Sequence, residues 1–221
     1  MHMENNLDRF SVKKPPYDSV NKVLPTYMGR LHIRGPVNPE RLSGYNLLGG
    51  LCCFRPCNKQ HQALLELANS PDGMVFVAAY ANTIVSYVCF QKPDYPWWQK
   101  RCFPQLLELG SIETDPSWRK IGLTKTVLET IFNDDNFDYF EDFIVIAVQT
   151  VDIWDFKNTN LSPWEYRRLL LNLFQKCSFT SWETEDPEIR EHPSNILMAR
   201  IGSNIEEKFR KHFYNCCLGT D

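Results

Sequence analysis

The sequence predicts an α/β domain, and three stretches carry the prediction. Leu106–Phe132 reads as a buried strand, a Pro-containing turn and a helix whose first turn spans Arg119–Thr124. Met74–Tyr80 and Thr83–Phe90 are β-rich runs joined by the short Ala81-Asn82 link, which makes them an antiparallel hairpin. Phe143–Val148, FIVIAV, is a continuous apolar run of the kind found in a strand buried on both faces.

The remaining elements follow in chain order. Residues 1–24 form a polar, Pro-bearing arm with no periodic pattern and are expected to be loose. Thr26–Arg34 alternates as a first strand, ended by Gly35-Pro36, and Pro39–Phe54 supports no more than one short helical turn. From Asn58 a helix is expected, with His61, Leu64, Leu65 and Ala68 on one face and Ser70-Pro71-Asp72-Gly73 as its stop. Gln91–Pro104 carries Tyr95, Trp97, Trp98 and Phe103 among three prolines, a loop suited equally to walling a binding site or to covering the sheet.

Asn133–Asp142 is acidic and reads as a solvated linker, and Gln149–Leu161 as a polar and aromatic insert around Trp154. Ser162-Pro163-Trp164-Glu165 is a complete helix start: Ser as N-cap, Pro at the first position, Glu closing a capping box. Tyr166, Leu170, Phe174 and Cys177 are that helix's buried stripe. Ser178–Glu183 and Asn195–Ile201 are the last strands, split by a loop whose Glu185, Asp186, Glu188 and Glu191 suit either a cationic substrate or plain solvated surface. Ser203-x-x-Glu206 starts a final helix with Ile205, Phe209 and His212 or Phe213 inward, and residues 215–221 are expected to fray. Residues 25–214 then form a single domain.

Composition excludes several classes. A formal charge of −3 and a pI near 6.0 give no electrostatic reason to expect nucleic acid. No apolar run approaches the ~18 residues of a membrane span, and no signal-peptide pattern precedes the fold, so neither membrane nor export is expected and the location should be cytoplasmic. The eight cysteines then read as reduced thiols, mostly small buried hydrophobes. Cys53, Cys57 and His61 have a faintly metal-like rhythm without a second ligand pair, so no metal is expected.

The chemistry-bearing stretch is the turn after the central strand. A strand feeding a helix N-terminus aims unpaired N–H groups and the positive end of the helix dipole at one spot, a place for phosphate. A P-loop would need glycines where Arg119 and Thr124 stand. Arg119-Lys120-Ile121-Gly122-Leu123-Thr124 instead resembles the Arg/Gln-x-x-Gly-x-Gly/Ala turn of the GNAT N-acetyltransferases, departing from it at Thr124.

The element order matches that superfamily as well, which implies a central mixed and mostly antiparallel twisted sheet flanked by helices. Further stretches, GPVNPERLSGYNLL, CFRPCNKQHQAL, ELGSIETDPSWRK, TVDIWDFKN with PWEYRRLL, and DPEIREHPSNILMARIG, resemble the acetoin utilization acetyltransferases of bacilli from about Gly35 to Asn204. The resemblance implies an acetyl-CoA-dependent protein-lysine acetyltransferase whose partner is acetyl-CoA synthetase. It also implies that the turn residues Arg119, Lys120, Ile121, Gly122, Leu123, Thr124 and Lys125 hold the pyrophosphate of coenzyme A, with strand groups near Ile112 and Thr114 serving the pantetheine arm and thioester oxygen.

Lysine, with a pKa of ~10.4, arrives protonated and needs a base. Counting from Arg119 as the superfamily does gives Thr114 and then Glu108, whose leucine neighbours should desolvate it and raise its pKa. Glu113 competes, but its odd spacing puts it on the opposite face of a regular strand, unless a bulge near Gly110-Ser111 intervenes.

The superfamily's usual tyrosine acid is replaced by Phe174, which leaves unaided thiolate departure or Tyr166 open. Cys89 and Cys177 sit in apolar stretches that favour inert thiols. Trp97, Trp98, Trp154 and Tyr166 are the substrate-side candidates. Three readings stand at this point: a protein-lysine acetyltransferase, a small-molecule amine acetyltransferase whose two aromatic loops close a pocket, and a non-catalytic acyl-CoA-binding module.

Overall fold

Alternating hydrophobic runs along the chain pair into one nine-stranded sheet in a computed structural model that describes residues 13–220. The strands are β1 (Val20–Thr26), β2 (Gly29–Gly35), β3 (Asn46–Leu47), β4 (Met74–Tyr80), β5 (Thr83–Gln91), β6 (Leu106–Thr114), β7 (Ile144–Gln149), β8 (Thr180–Trp182) and β9 (Ile196–Ile201). Their order is β1-β2-β4-β5-β6-β7-β9-β8, with β3 added beside β5. Pairing is antiparallel except for β6–β7 and β3–β5. The sheet is therefore mixed and mostly antiparallel, and helices flank it: this is the GNAT fold.

The helices are α1 (Pro39–Ser43), α2 (Cys57–Asn69), α3 (Pro96–Gln99), α4 (Leu123–Phe132), α5 (Pro163–Gln175), α6 (Pro187–Arg190) and α7 (Glu207–Leu218). Period-two alternation splits each strand between two layers. Leu107 and Leu109 of β6 and Val145 and Ala147 of β7 join Val127, Leu128 and Ile131 of α4 and Leu170 and Phe174 of α5. On the other face Ile144 and Ile146 pack with Phe209 and Phe213 of α7, while Val75, Tyr87 and Cys89 pack with Leu42 of α1 and Leu64 of α2. The α5 capping box forms as its sequence requires, with Ser162 and Glu165 bonded reciprocally.

Three expectations are corrected. Strand structure begins at Val20, inside the expected loose arm, because residues 20–26 pair with residues 29–35 as a hairpin; residues 1–12 of that arm lie outside the described residues. The acidic Asn133–Asp142 segment is not a solvated linker: Phe137 and Phe140 turn inward against Phe76 and join Phe90 and Phe132 in the core. The chain from 215 to 218 is not frayed, since α7 continues to Leu218, buries Cys216 and Cys217, and closes on a left-handed Gly219. Among the described residues no helix is long and apolar enough to cross a membrane.

Candidate active site

Parallel strands β6 and β7 are registered only from Leu106–Ile144 to Glu108–Ile146. Strand β6 then runs six residues further, still paired with β5, while β7 stays paired with β9. The sheet therefore splits beyond Glu108, and among the described residues one edge of β6 over Leu109–Thr114 has no neighbouring strand. Gly110, Ser111 and Ile112 along it are half-buried. Unpaired strand backbone beside a groove is suited to hydrogen bonding an extended amide-bearing chain.

The split ends at the predicted turn. Asp115 caps the short 3-10 turn Pro116–Trp118 by accepting from Ser117 N–H, and its Oδ2 accepts from Gly50 N–H at 2.9 Å. The chain is left-handed at Lys120 (φ +66°) and again at Gly122 (φ +77°), and α4 begins only at Leu123. The expected helical turn over Arg119–Thr124 is thus mostly a coiled approach to the helix. Its consequence is the one the site needs: no side chain caps α4, and a Cβ at Gly122 would point into open space. Lys120, Ile121 and Lys125 are exposed around this spot, Lys125 pairing with Glu129 along the helix, while Leu123 anchors the turn in the core.

Two turn residues turn their side chains into the fold. Arg119 is bent back, Nε donating to Thr114 O at 2.8 Å and a terminal nitrogen pairing with Asp155 at 2.8 Å. It clamps the end of β6 to the insert after β7 across the split. The Thr124 hydroxyl is not left free for a ligand. Instead Ser86 Oγ donates its one proton to Glu113 O, so Thr114 Oγ1 must donate to Ser86 and Thr124 Oγ1 to Thr114, at 2.8 and 2.9 Å. The Thr124 proton is committed inward.

The two carboxylates of β6 are both buried. A bulge shifts the β5–β6 register so that Phe90 faces Leu109 but Cys89 faces Ser111, skipping Gly110. The partners of Glu108 and Glu113 are Gln91 and Tyr87, four residues apart on β5, so both glutamates lie on the same face.

Glu113, 5% exposed, accepts from Tyr87 Oη at 2.7 Å and Cys53 N–H at 2.8 Å. Burial raises its pKa and those two bonds oppose the rise. Glu108, 2% exposed, has an Oε2 with no hydrogen-bond partner among the described residues. Burial foremost, then the Asp94 charge, pushes its carboxyl up to about 8, against bonds from the Asp94 backbone and the Gln91 side chain.

Trp97 and Trp98 are both engaged within the fold. Trp98 is fully buried, stacks on Phe213 of α7 and donates to Asp186 Oδ2 at 3.0 Å. Trp97 donates to Cys216 O at 3.2 Å and lies under Arg101. The tryptophans of this loop pack against α7, while its Asp94 stands beside Glu108. Trp154 stacks on Tyr166, ring centroids 5.0 Å apart, and its buried Nε1 has no partner among the described residues. Tyr166 is half-buried and burial raises its phenol pKa.

Phe174 is core, and burial pushes the Cys89 and Cys177 thiols up to about 12. His61 Nε2 lies 3.1 Å from Leu42 O and Cys57 Sγ 3.2 Å from Gly49 O. Sequence reasoning missed Gln91, Asp94, Tyr87 and Asp155, which reach the site from other elements; only the Gly110-Ser111 pair signalled the bulge.

No family model matches the chain. It is 37% identical over 193 residues to the acetoin utilization protein AcuA of Bacillus licheniformis, covering 87% of this chain and 90% of that protein. It is 36% identical over 198 residues to AcuA of Bacillus subtilis, covering 89% and 92%. The crystal structure of an acetoin utilization protein from Exiguobacterium sibiricum superposes with a TM-score of 0.84 at 34% identity, covering 90% of this chain and 93% of that one. With identity of this level along most of both chains and the same fold throughout, the chain belongs to the AcuA family of acetoin utilization proteins.

Proposed function

We propose that the protein transfers the acetyl group of acetyl-CoA to a lysine of a protein substrate, with Glu108 as general base, and that the substrate is acetyl-CoA synthetase, whose acetylation switches it off. The observation that carries the reading is Glu108 itself: a buried carboxylate with an uncommitted oxygen, at the point where β6 and β7 part. A fold has no structural use for a bare buried oxygen, whereas proton abstraction requires one.

The donor fits the groove. The uncapped N-terminus of α4, with open space at Gly122, suits a pyrophosphate. The unpaired edge of β6 suits the pantetheine amides, and the orphan Trp154 Nε1 offers a further donor. Acetyl-CoA supplies the activated carbonyl. Glu108 takes one proton from the lysine ammonium; the amine nitrogen then bonds to the carbonyl carbon as the C–S bond breaks with the sulfur keeping that electron pair, and the extra proton left on the nitrogen passes to the departed thiolate through solvent. A thiol pKa of ~8.5 lies below the amine's ~10.4, so the thiolate departs without an acid, in keeping with phenylalanine at 174. The reaction belongs in the cytoplasm, where both substrates reside, and involves no metal, nucleic acid or membrane.

Incubation with radiolabelled acetyl-CoA and acetyl-CoA synthetase tests this. Label should appear on one lysine of the synthetase while its activity falls in proportion. Label on a small amine, or no transfer at all, would remove the reading.

A further inference from the structure

Three loops, from different parts of the chain, each bring a carboxylate to the Glu108 end of the split. Asp94 follows β5, whose last residue Gln91 faces Glu108. Asp152 lies in the insert after β7, and Glu188 in the loop before β9. Asn195 fastens the last two loops together, its Oδ1 accepting from Val151 N–H at 2.9 Å and its Nδ2 donating to Glu188 O at 2.8 Å. The buried Trp98 fastens the first to the third through Asp186, which also caps α6 by accepting from Glu188 N–H at 3.0 Å.

The acids of this region divide into used and unused. Asp186 is buried and bonded, and Glu185 pairs with Arg190. Among the described residues no ion pair engages Asp94, Asp152 or Glu188, of which the first two are exposed and the third half-exposed. Beneath them lies the buried Glu108 with its partnerless Oε2. Their mutual proximity also shows in Tyr95, whose phenol is raised by burial and then by the charges of Glu108, Asp94, Glu188 and Asp152.

We propose that Asp94, Asp152 and Glu188 form an acceptor mouth over Glu108 that takes a cationic segment of a protein chain: the acceptor lysine together with at least one further basic side chain. The proposal deepens the lysine-acetylation reading and rests on it for the identity of the acceptor. One ammonium meets one carboxylate at Glu108 and leaves three like charges on rigidly stapled loops, which repel one another until cations arrive. Such a field also concentrates and orients a basic segment before contact.

The test is fluorescence anisotropy with two labelled peptides, each centred on lysine, one flanked by arginines and the other by glutamates. Wild-type protein should bind the arginine peptide at least about tenfold more tightly at low ionic strength, with the gap shrinking in ~0.5 M salt. Asp152→Asn/Glu188→Gln should weaken that binding about fivefold or more, as expected for two exposed charge pairs, and Asp94→Asn alone should weaken it less. Because salt titration of the wild type and the single variant read the same property, a double variant that misfolds does not rescue the idea. Equal affinity for the two peptides, or undiminished preference in the variants, would overturn it. Acetyl transfer followed in the same samples separates the readings: selective binding without transfer keeps the mouth and removes lysine acetylation, whereas transfer without charge preference does the opposite.

Discussion

Glu108 and Glu113 share a strand, a sheet face and near-complete burial, yet their surroundings are opposite. Glu113 is a junction: its oxygens hold a phenol of β5 and a backbone N–H of the loop after β3, and each bond it accepts stabilises the anion in place. Glu108 keeps one oxygen without a partner beside another acid, and its environment favours the protonated form. Burial alone thus distinguishes nothing; the difference between structure and chemistry lies in whether an oxygen is left over.

The largest expected effect comes from Glu108→Gln, which keeps the shape and removes basicity. The maximal rate at neutral pH should fall by about 10²–10⁴ with acetyl-CoA still bound. Wild-type activity should rise with pH through about 8 as Glu108 deprotonates, and the variant should lose that limb. Stability should move the other way. A folded pKa above the unfolded value means stability present below the unfolded carboxylate range and lost as pH rises through about 8. Glu108→Gln should therefore be more heat-stable than wild type above pH 8, the gap closing near pH 5 in calorimetric scans.

Gly122→Val acts at the far end of the groove. Among the described residues nothing lies within 4 Å of a Cβ at this position, but φ +77° strains a β-branched residue and its carbons would fill the open space in front of α4. Acetyl-CoA affinity should drop roughly ten- to a hundredfold in calorimetric titration. Unchanged affinity in a folded variant would move the pyrophosphate elsewhere.

Glu113→Gln sharpens the comparison from its other side. Glutamine cannot serve both donors as well as a carboxylate, so a loss of about 1–3 kcal/mol in denaturant unfolding is expected, with the rate reduced less than tenfold. If Glu113→Gln instead abolishes transfer and Glu108→Gln spares it, the two roles are exchanged. The smallest effect is expected for Thr124→Ala, which breaks the hydroxyl chain to Thr114 and Ser86 at a cost of about 1 kcal/mol. Its acetyl-CoA affinity should change only a fewfold, because the Thr124 proton does not face the groove.

What could be read in advance was what short-range pattern encodes. The β4–β5 hairpin, the α5 capping box and the β6 strand announce themselves through period and end signals within a dozen residues. The strand at Val20–Thr26 was missed because Pro25 and polar alternation suit an edge strand as well as a loop. Phe137 and Phe140 were hidden by five acids around them, and Cys216 and Cys217 by their place near the end of the sequence.

Within the site, Glu108 was reached by counting along one strand. Its electrostatic setting was not, because Gln91 and Asp94 arrive from β5 and its following loop. The packing of Trp97 and Trp98 on α7 was not legible, because an apolar loop has one composition whether its rings face a ligand or a helix.

Gly110 sets the relation between the two ends of this site. A strand is a wave of period two, and one skipped residue advances the remainder by half a wavelength. Everything from Ser111 to Thr114 is therefore out of phase with Leu106–Leu109, which is why Leu109 and Ile112, three apart, both pack toward α4. Deleting Gly110 would leave a regular ladder with the same partners, Leu109 opposite Phe90 and then Ser111 opposite Cys89, so Glu113 would still face Tyr87; drawing Gly110 into the ladder as a paired residue would instead turn Glu113 into the apolar layer and Ile112 toward Tyr87. A residue with no side chain of its own thus fixes which side chains the base and the coenzyme turn share, because it stands outside the ladder: pairing it would invert half the groove, whereas removing it would only straighten the strand.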